Sequence, residues 1–162
     1  MSLENLLNRL MKEGKLKRQS TNINYLNNLL ASAKRNFEAA ALVKEKVDEA
    51  AFKLVYDGLL QIGRLILLMN GYRPDDGEQH KTTFLVAGEL LGEDYHNLIR
   101  RIQKFRIKRN DCIYDPKGLI SKIETDAIFK VSKEFWGKVK IYLEEKNPQL
   151  KLKFYQNQKC EP

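Results

Sequence analysis

Between positions 46 and 70 apolar residues recur every third or fourth place: Val47, Ala50, Ala51, Leu54, Val55, Gly58, Leu59, Ile62, Leu65, Ile66 and Met69. This is the period of an α-helix, whereas a half-buried strand needs strict alternation. The apolar stripe is broad, which predicts a central helix buried by several neighbours. Asn70-Gly71 should end it, because glycine takes up the left-handed conformation of a C-terminal cap at little steric cost.

The same period governs the rest of the chain, and no segment shows the alternation of an exposed strand. Leu3, Leu6, Leu7 and Leu10 predict a short N-terminal helix that fades at Gly14 into the basic stretch Lys15-Leu16-Lys17-Arg18, a piece read as an appendage. After Asn22, the residues Ile23, Leu26, Leu30, Ala33, Phe37 and Ala40 share one helical face. A shorter helix over 80–91 should stop at Gly92, with Asp94 capping its successor. Ser121 and Glu124 have the spacing of a capping box, opening a last helix whose expected buried side is Ile123, Ala127, Val131, Phe135, Val139 and Tyr142. Asn147-Pro148 should terminate it. The predicted class is all-α, an antiparallel up-and-down bundle of about five helices with an extra N-terminal helix. The expected division is an N-terminal extension at 1–20, the bundle at 21–147 and a polar basic tail, loosely ordered, at 148–162.

A chain of 162 residues supports one buried core. Its formal charge of +8 and pI near 9.4 favour polyanionic partners, nucleic acid first. The longest apolar run, around 65–69, is far below the roughly 20 residues that span a bilayer, so no membrane is expected. The start of the sequence lacks the pattern of an export signal, and the expected location is cytoplasmic. Cys112 and Cys160 form no ligand cluster or disulfide framework, and His80 and His96 have no neighbour at metal-ligand spacing, so neither metal nor cofactor is expected. A packing role at a helix start is the reading for His80. Gly58 and Gly63, inside the apolar helix, are read as close-packing positions.

The stretch 94–114 carries the chemistry. Tyr95, Leu98, Ile99, Ile102 and Phe105 form an apolar series that continues at helical spacing through Arg109 to Cys112 and Ile113. A guanidinium on a buried stripe is expensive unless an anion meets it. That anion is a carboxylate such as Asp57 or Asp111, in a structural ion pair, a group of a partner chain, or a ligand phosphate. Arg101, Lys104 and Lys108, with Arg100, follow at helical spacing as a ridge able to track a phosphate backbone, or as a plain solvated face.

The segment Phe105-Arg106-Ile107-Lys108-Arg109-Asn110-Asp111-Cys112-Ile113-Tyr114-Asp115-Pro116 resembles the arginine-containing signature of HEPN domains, in which an arginine and a small polar residue precede a histidine. Tyr56-Asp57-Gly58-Leu59-Leu60, Leu68 to Pro74, and Gly77 to His80-Lys81 are similar to the helix-and-loop pattern of the same family. The resemblance covers about 22–146. It implies a metal-independent endoribonuclease, of the toxin–antitoxin or defence kind, with Arg109 and Asn110 in the site and Tyr114 standing where active members have histidine. It also implies a homodimer with the signature helices facing each other, and RNA or nucleotide as ligand. The alternative is a non-catalytic module that binds nucleotide or a nucleotidyltransferase-type antitoxin partner. A phenol, with a reference pKa of about 10, is a poor general base at neutral pH. Five positions on a regular helix also turn Tyr114 about 140° from Arg109.

Overall fold

A computed structural model describes residues 1–117, 119–150 and 152. Its elements are α1 (Leu3–Lys12), β1 (Leu16–Arg18), α2 (Ile23–Val43), α3 (Asp48–Met69), β2 (Tyr72–Pro74), α4 (Gln79–Leu91), α5 (His96–Tyr114) and α6 (Lys122–Lys146), with a single 3₁₀ turn, Glu93–Tyr95, before α5. The fold is thus an all-α helical bundle carrying one small two-stranded ladder. No helix among the described residues is long and apolar enough to cross a membrane.

The apolar helix of the sequence is α3, and it is central because α2, α4, α5 and α6 all pack against it. Ala51, Phe52, Val55, Tyr56, Leu59, Ile62, Leu65 and Ile66 are all buried along it. Its two glycines admit close neighbours. A Cβ on Gly58 would lie 2.7 Å from the Phe37 ring of α2, and one on Gly63 would lie 2.9 Å from the Thr83 methyl of α4. Gly71, at φ 83°, turns the chain out of α3 into β2.

Chain ends follow the predicted signals. Asn22 accepts a hydrogen bond from the Tyr25 amide at 2.9 Å, and Ser121 and Glu124 form the reciprocal capping box. Asp94 does not cap α5. It falls within the 3₁₀ turn, leaving Tyr95 at the cap without a side-chain bond.

Three expectations are corrected. First, 15–18 and 72–74 contain strands, paired antiparallel with Leu16 opposite Pro74 and Arg18 opposite Tyr72. Three residues are too few for alternation to show in a sequence; the pairing is fixed by partners distant in the chain. Through this ladder, and through the buried Leu6, Leu7 and Leu10 of α1, the N-terminal segment joins the common core. Second, the buried side of α6 is Thr125, Ile128, Val131, Ser132, Phe135, Trp136, Val139 and Leu143. Ile123, within the capping box in the first turn, is 81% exposed. Third, Ile113 leaves the stripe of α5 and faces outward, while Cys112 stays buried. In the tail, Leu150 and Leu152 are buried against the core; position 151 and 153–162, with Cys160, lie outside the described residues.

Candidate functional site

Arg109 lies on α5 where the apolar stripe meets α3. Leu98, Ile99 and Ile102 are buried ahead of it, and Phe105 packs edge-on to Phe52 with ring centroids 5.7 Å apart. The register therefore carries the guanidinium inward, where its side chain is only 21% exposed. Its Cζ lies 5.3 Å from the centroid of the Tyr56 ring, a cation–π contact that supplies part of the lost hydration.

The carboxylate that answers it is Asp57. Arg109 Nη2 and Asp57 Oδ1 are 3.7 Å apart, close enough for attraction but beyond hydrogen-bond length. Burial raises the Asp57 carboxyl above its ordinary range, outweighing the opposing pull of Arg109 and Arg64. The buried Nε of Arg109 has no partner among the described residues. A guanidinium carries five donors, and this one is met by a ring face and one distant oxygen. The ion pair leaves the Nε donor without a protein partner among the described residues.

Tyr56 connects Arg109 to α4. Its hydroxyl lies 3.2 Å from His80 Nδ1. Burial raises the phenol well above its ordinary value, so Tyr56 keeps its proton. A buried phenol needs an acceptor, and His80 Nδ1 is the one at hand; the neutral imidazole then carries its hydrogen on Nε2. Burial, followed by the charges of Arg109, Arg64 and Arg106, pushes His80 down from 6.5 to about 4. At neutral pH it is uncharged.

His80 also lines an open pocket of about 440 Å³ with Lys81, Arg106, Asn110 and the 76–79 loop. Arg106 is held by Gln103, its Nε donating at 2.8 Å, and Glu78 is tied to Lys81 at 3.1 Å. Asp76 accepts from the Thr82 hydroxyl at 2.7 Å and so anchors the loop to α4. The structure thus gathers Tyr56, Asp57, His80, Arg106, Arg109 and Asn110 from α3, α4 and α5 around one end of the bundle.

The other expected residues are placed differently. Tyr114, at the end of α5, is 85% exposed, so its phenol is a surface group. Of the basic ridge, Arg101 is paired with Glu134 at 2.9 Å and Lys108 with Glu124 at 3.1 Å, both across to α6. Lys104 is exposed. Two of the three charges therefore fasten α5 to α6. Sequence reasoning flagged Arg109 and Asp57 but missed the Tyr56 platform and the place of His80, which it read as a packing residue at a helix start although the family resemblance ran through Gly77 to His80-Lys81. Among the described residues no cluster of His, Cys, Asp and Glu has the arrangement of a metal site.

Compared with protein-family models, curated proteins and solved structures, the chain matches none.

Proposed function

We propose that this chain is an RNA-directed helical protein of the HEPN type, which engages a phosphate through Arg109 with Asn110 and Arg106 beside it. The observation that carries this reading is the sheltered guanidinium, with its Nε unpartnered and its one carboxylate at 3.7 Å. A planar fork of donors matches phosphate oxygens, and it is worth more where water is scarce.

In the cleaving form, the RNA 2′-oxygen attacks the adjacent phosphorus and the 5′-oxygen leaves, giving a 2′,3′-cyclic phosphate. One proton departs the 2′-hydroxyl and one joins the leaving oxygen. Arg109 stabilises the charge on the phosphoryl oxygens. His80, in place of Tyr114, is the titratable group beside Arg109. To take the 2′-hydroxyl proton, His80 Nδ1 must first give up the Tyr56 hydroxyl. A bound phosphate raises its basicity by offsetting Arg109, Arg106 and Arg64, though not the burial. The toxin or defence role, with a nucleotidyltransferase-type partner, belongs to the same proposal. So does a homodimer, supported by the exposed Ile107, Ile113, Tyr114 and Ile123 near the junction of α5 and α6.

A second reading, a non-catalytic module that binds nucleotide or a partner protein, is favoured by the exposure of Tyr114 and by a His80 far from the pKa of an ideal base. Single-stranded and structured RNA incubated with the protein in EDTA, beside Arg109→Ala, separates the two. Cleavage that disappears in the variant supports the enzyme. Intact RNA with salt-sensitive binding that depends on Arg109 supports the module, and binding indifferent to Arg109 removes both.

A further inference from the structure

A second and larger pocket, of about 580 Å³, opens beside the first, and Gln79 lines both. Its volume falls within the roughly 300–1,000 Å³ of small-molecule sites. Five segments build it: the 19–22 loop, α2, the second half of α3, β2 and the start of α4. Its apolar surface comes from Leu29, Leu68, Tyr72 and Pro74. Tyr25, a residue 52% exposed, lines it as well.

Beside the Ser20 and Thr21 hydroxyls, the polar groups around that surface are of two kinds. Gln19, Asn22 and Gln79 supply amides. Asn22 spends its carbonyl oxygen on the Tyr25 amide, which leaves its NH₂ group to donate. Gln19 spends its NH₂ group on the Ser20 carbonyl, which leaves its oxygen to accept. The second kind is cationic: Arg64 and Arg73 line the pocket, and no acidic residue does. Arg73 is shared with Asp75 at 3.0 Å, whereas Arg64 has no ion pair at bonding distance among the described residues. The charge of Arg64 nevertheless reaches His80, Asp57 and Tyr56.

Aromatic and apolar faces, amides with one donor and one acceptor free, and a guanidinium with no carboxylate at bonding distance among the described residues together describe a ligand with a flat ring, a hydrogen-bonding edge and a negative charge. We infer that this pocket binds one unpaired nucleotide, its base against Tyr25 and the apolar wall, its edge read by Asn22 and Gln19, and its phosphate on Arg64. Stacking on an aromatic ring tolerates any base, while side-chain amides supply selectivity. The same chemistry comes from a free nucleoside monophosphate or from one nucleotide of an RNA strand. The RNA source rests on the first reading proposed above, since Arg64 and Gln79 connect this pocket to the Arg109 cluster; the free nucleotide rests on the second, a module that binds nucleotide.

Calorimetric titration of the full chain with the four nucleoside 5′-monophosphates, inorganic phosphate and an unstructured oligoribonucleotide tests this, with Tyr25→Ala, Arg64→Gln and Arg109→Gln as variants. Circular dichroism checks that each variant remains folded, and Arg64→Lys serves if Arg64→Gln does not. A monophosphate should bind more tightly than phosphate, and Tyr25→Ala and Arg64→Gln should each weaken it about tenfold. Binding of the oligonucleotide alone, with the same sensitivity, supports the site and assigns its source to RNA. Oligonucleotide binding lost in Arg109→Gln but unchanged in the other two overturns the pocket and leaves the Arg109 reading standing. Phosphate binding as tight as any nucleotide, indifferent to Tyr25, also overturns it, as does the absence of all binding.

Discussion

The Arg109 guanidinium lies over the Tyr56 ring at 5.3 Å, while the Tyr56 hydroxyl meets His80 at 3.2 Å, so α5, α3 and α4 share one buried polar junction. Three helices are thereby coupled at the point where a phosphate would enter.

This junction makes stability depend on pH. His80 is depressed from 6.5 to about 4 in the fold. An unfolded chain takes up its proton near 6.5 and the folded chain does not, so His80's contribution is full above about 6.5, falls as pH drops toward 4, and levels off below. Denaturant midpoints at pH 7, 5.5 and 4 should decline more steeply in the native protein than in His80→Gln. Equal slopes would show that His80 does not carry the linkage.

Phosphate should relieve part of that depression. Burial is its larger cause and stays, but an anion beside Arg109, Arg106 and Arg64 offsets their charges, so the imidazole pKa rises. The chain has two histidines, which makes the imidazole resonances simple to follow by NMR. With an RNA oligonucleotide bound, His80 should titrate at least about one unit higher. No movement of His80 would place the phosphate elsewhere.

If RNA is cleaved, Tyr114→Phe should leave the rate within about twofold, because the phenol is exposed, while His80→Gln should lower it by about 10²-fold or more. Single-turnover cleavage of a labelled RNA measures both. A large loss in Tyr114→Phe would instead put Tyr114 in the site, contributed by a second copy of the chain.

The basic residues of α5 should divide by their partners. Lys104→Gln should reduce the salt slope of RNA binding by about 0.7, one single-strand phosphate contact. Arg101→Gln should change it less, because Arg101 is already paired with Glu134 at 2.9 Å. Stability should fall by less than about 1 kcal/mol in either case, since exposed ion pairs contribute little. Filter binding across a salt series gives the slopes.

Two glycines should respond oppositely to alanine. A Cβ on Gly63 meets the Thr83 methyl at 2.9 Å, and Thr83 is held by its hydroxyl donating to the Gln79 carbonyl at 2.7 Å. Overpacking of about 1–3 kcal/mol should therefore exceed the helix-propensity gain of about 1 kcal/mol. Gly137 of α6 has open space around its Cβ position, so Gly137→Ala should stabilise by up to about 1 kcal/mol. Thermal melts at one pH compare the pair.

The helices were legible because their signal is local. Val47 to Met69 recur at the period of one face, Asn22 and Ser121 sit one residue ahead of the turns they cap, and Gly71 and Gly92 take positive φ where α3 and α4 end. The inward register of Arg109 was legible for the same reason. The three-residue strands were not, since Leu16–Arg18 is held by Tyr72–Pro74 and by nothing in its own pattern. The buried side of α6 was legible only beyond its first turn.

The sequence by itself determined the all-helical class, the centrality of α3 and the presence of a cation on a buried stripe, because periodicity and capping depend on neighbours within a few residues. Tertiary structure alone decided what surrounds that cation. Asp57, Tyr56 and His80 reach Arg109 from helices more than twenty-five residues away in the chain, and the same packing turned Tyr114 outward and spent Arg101 and Lys108 on α6. Burial and charge act through space, and which groups share a space is settled only when the helices pack.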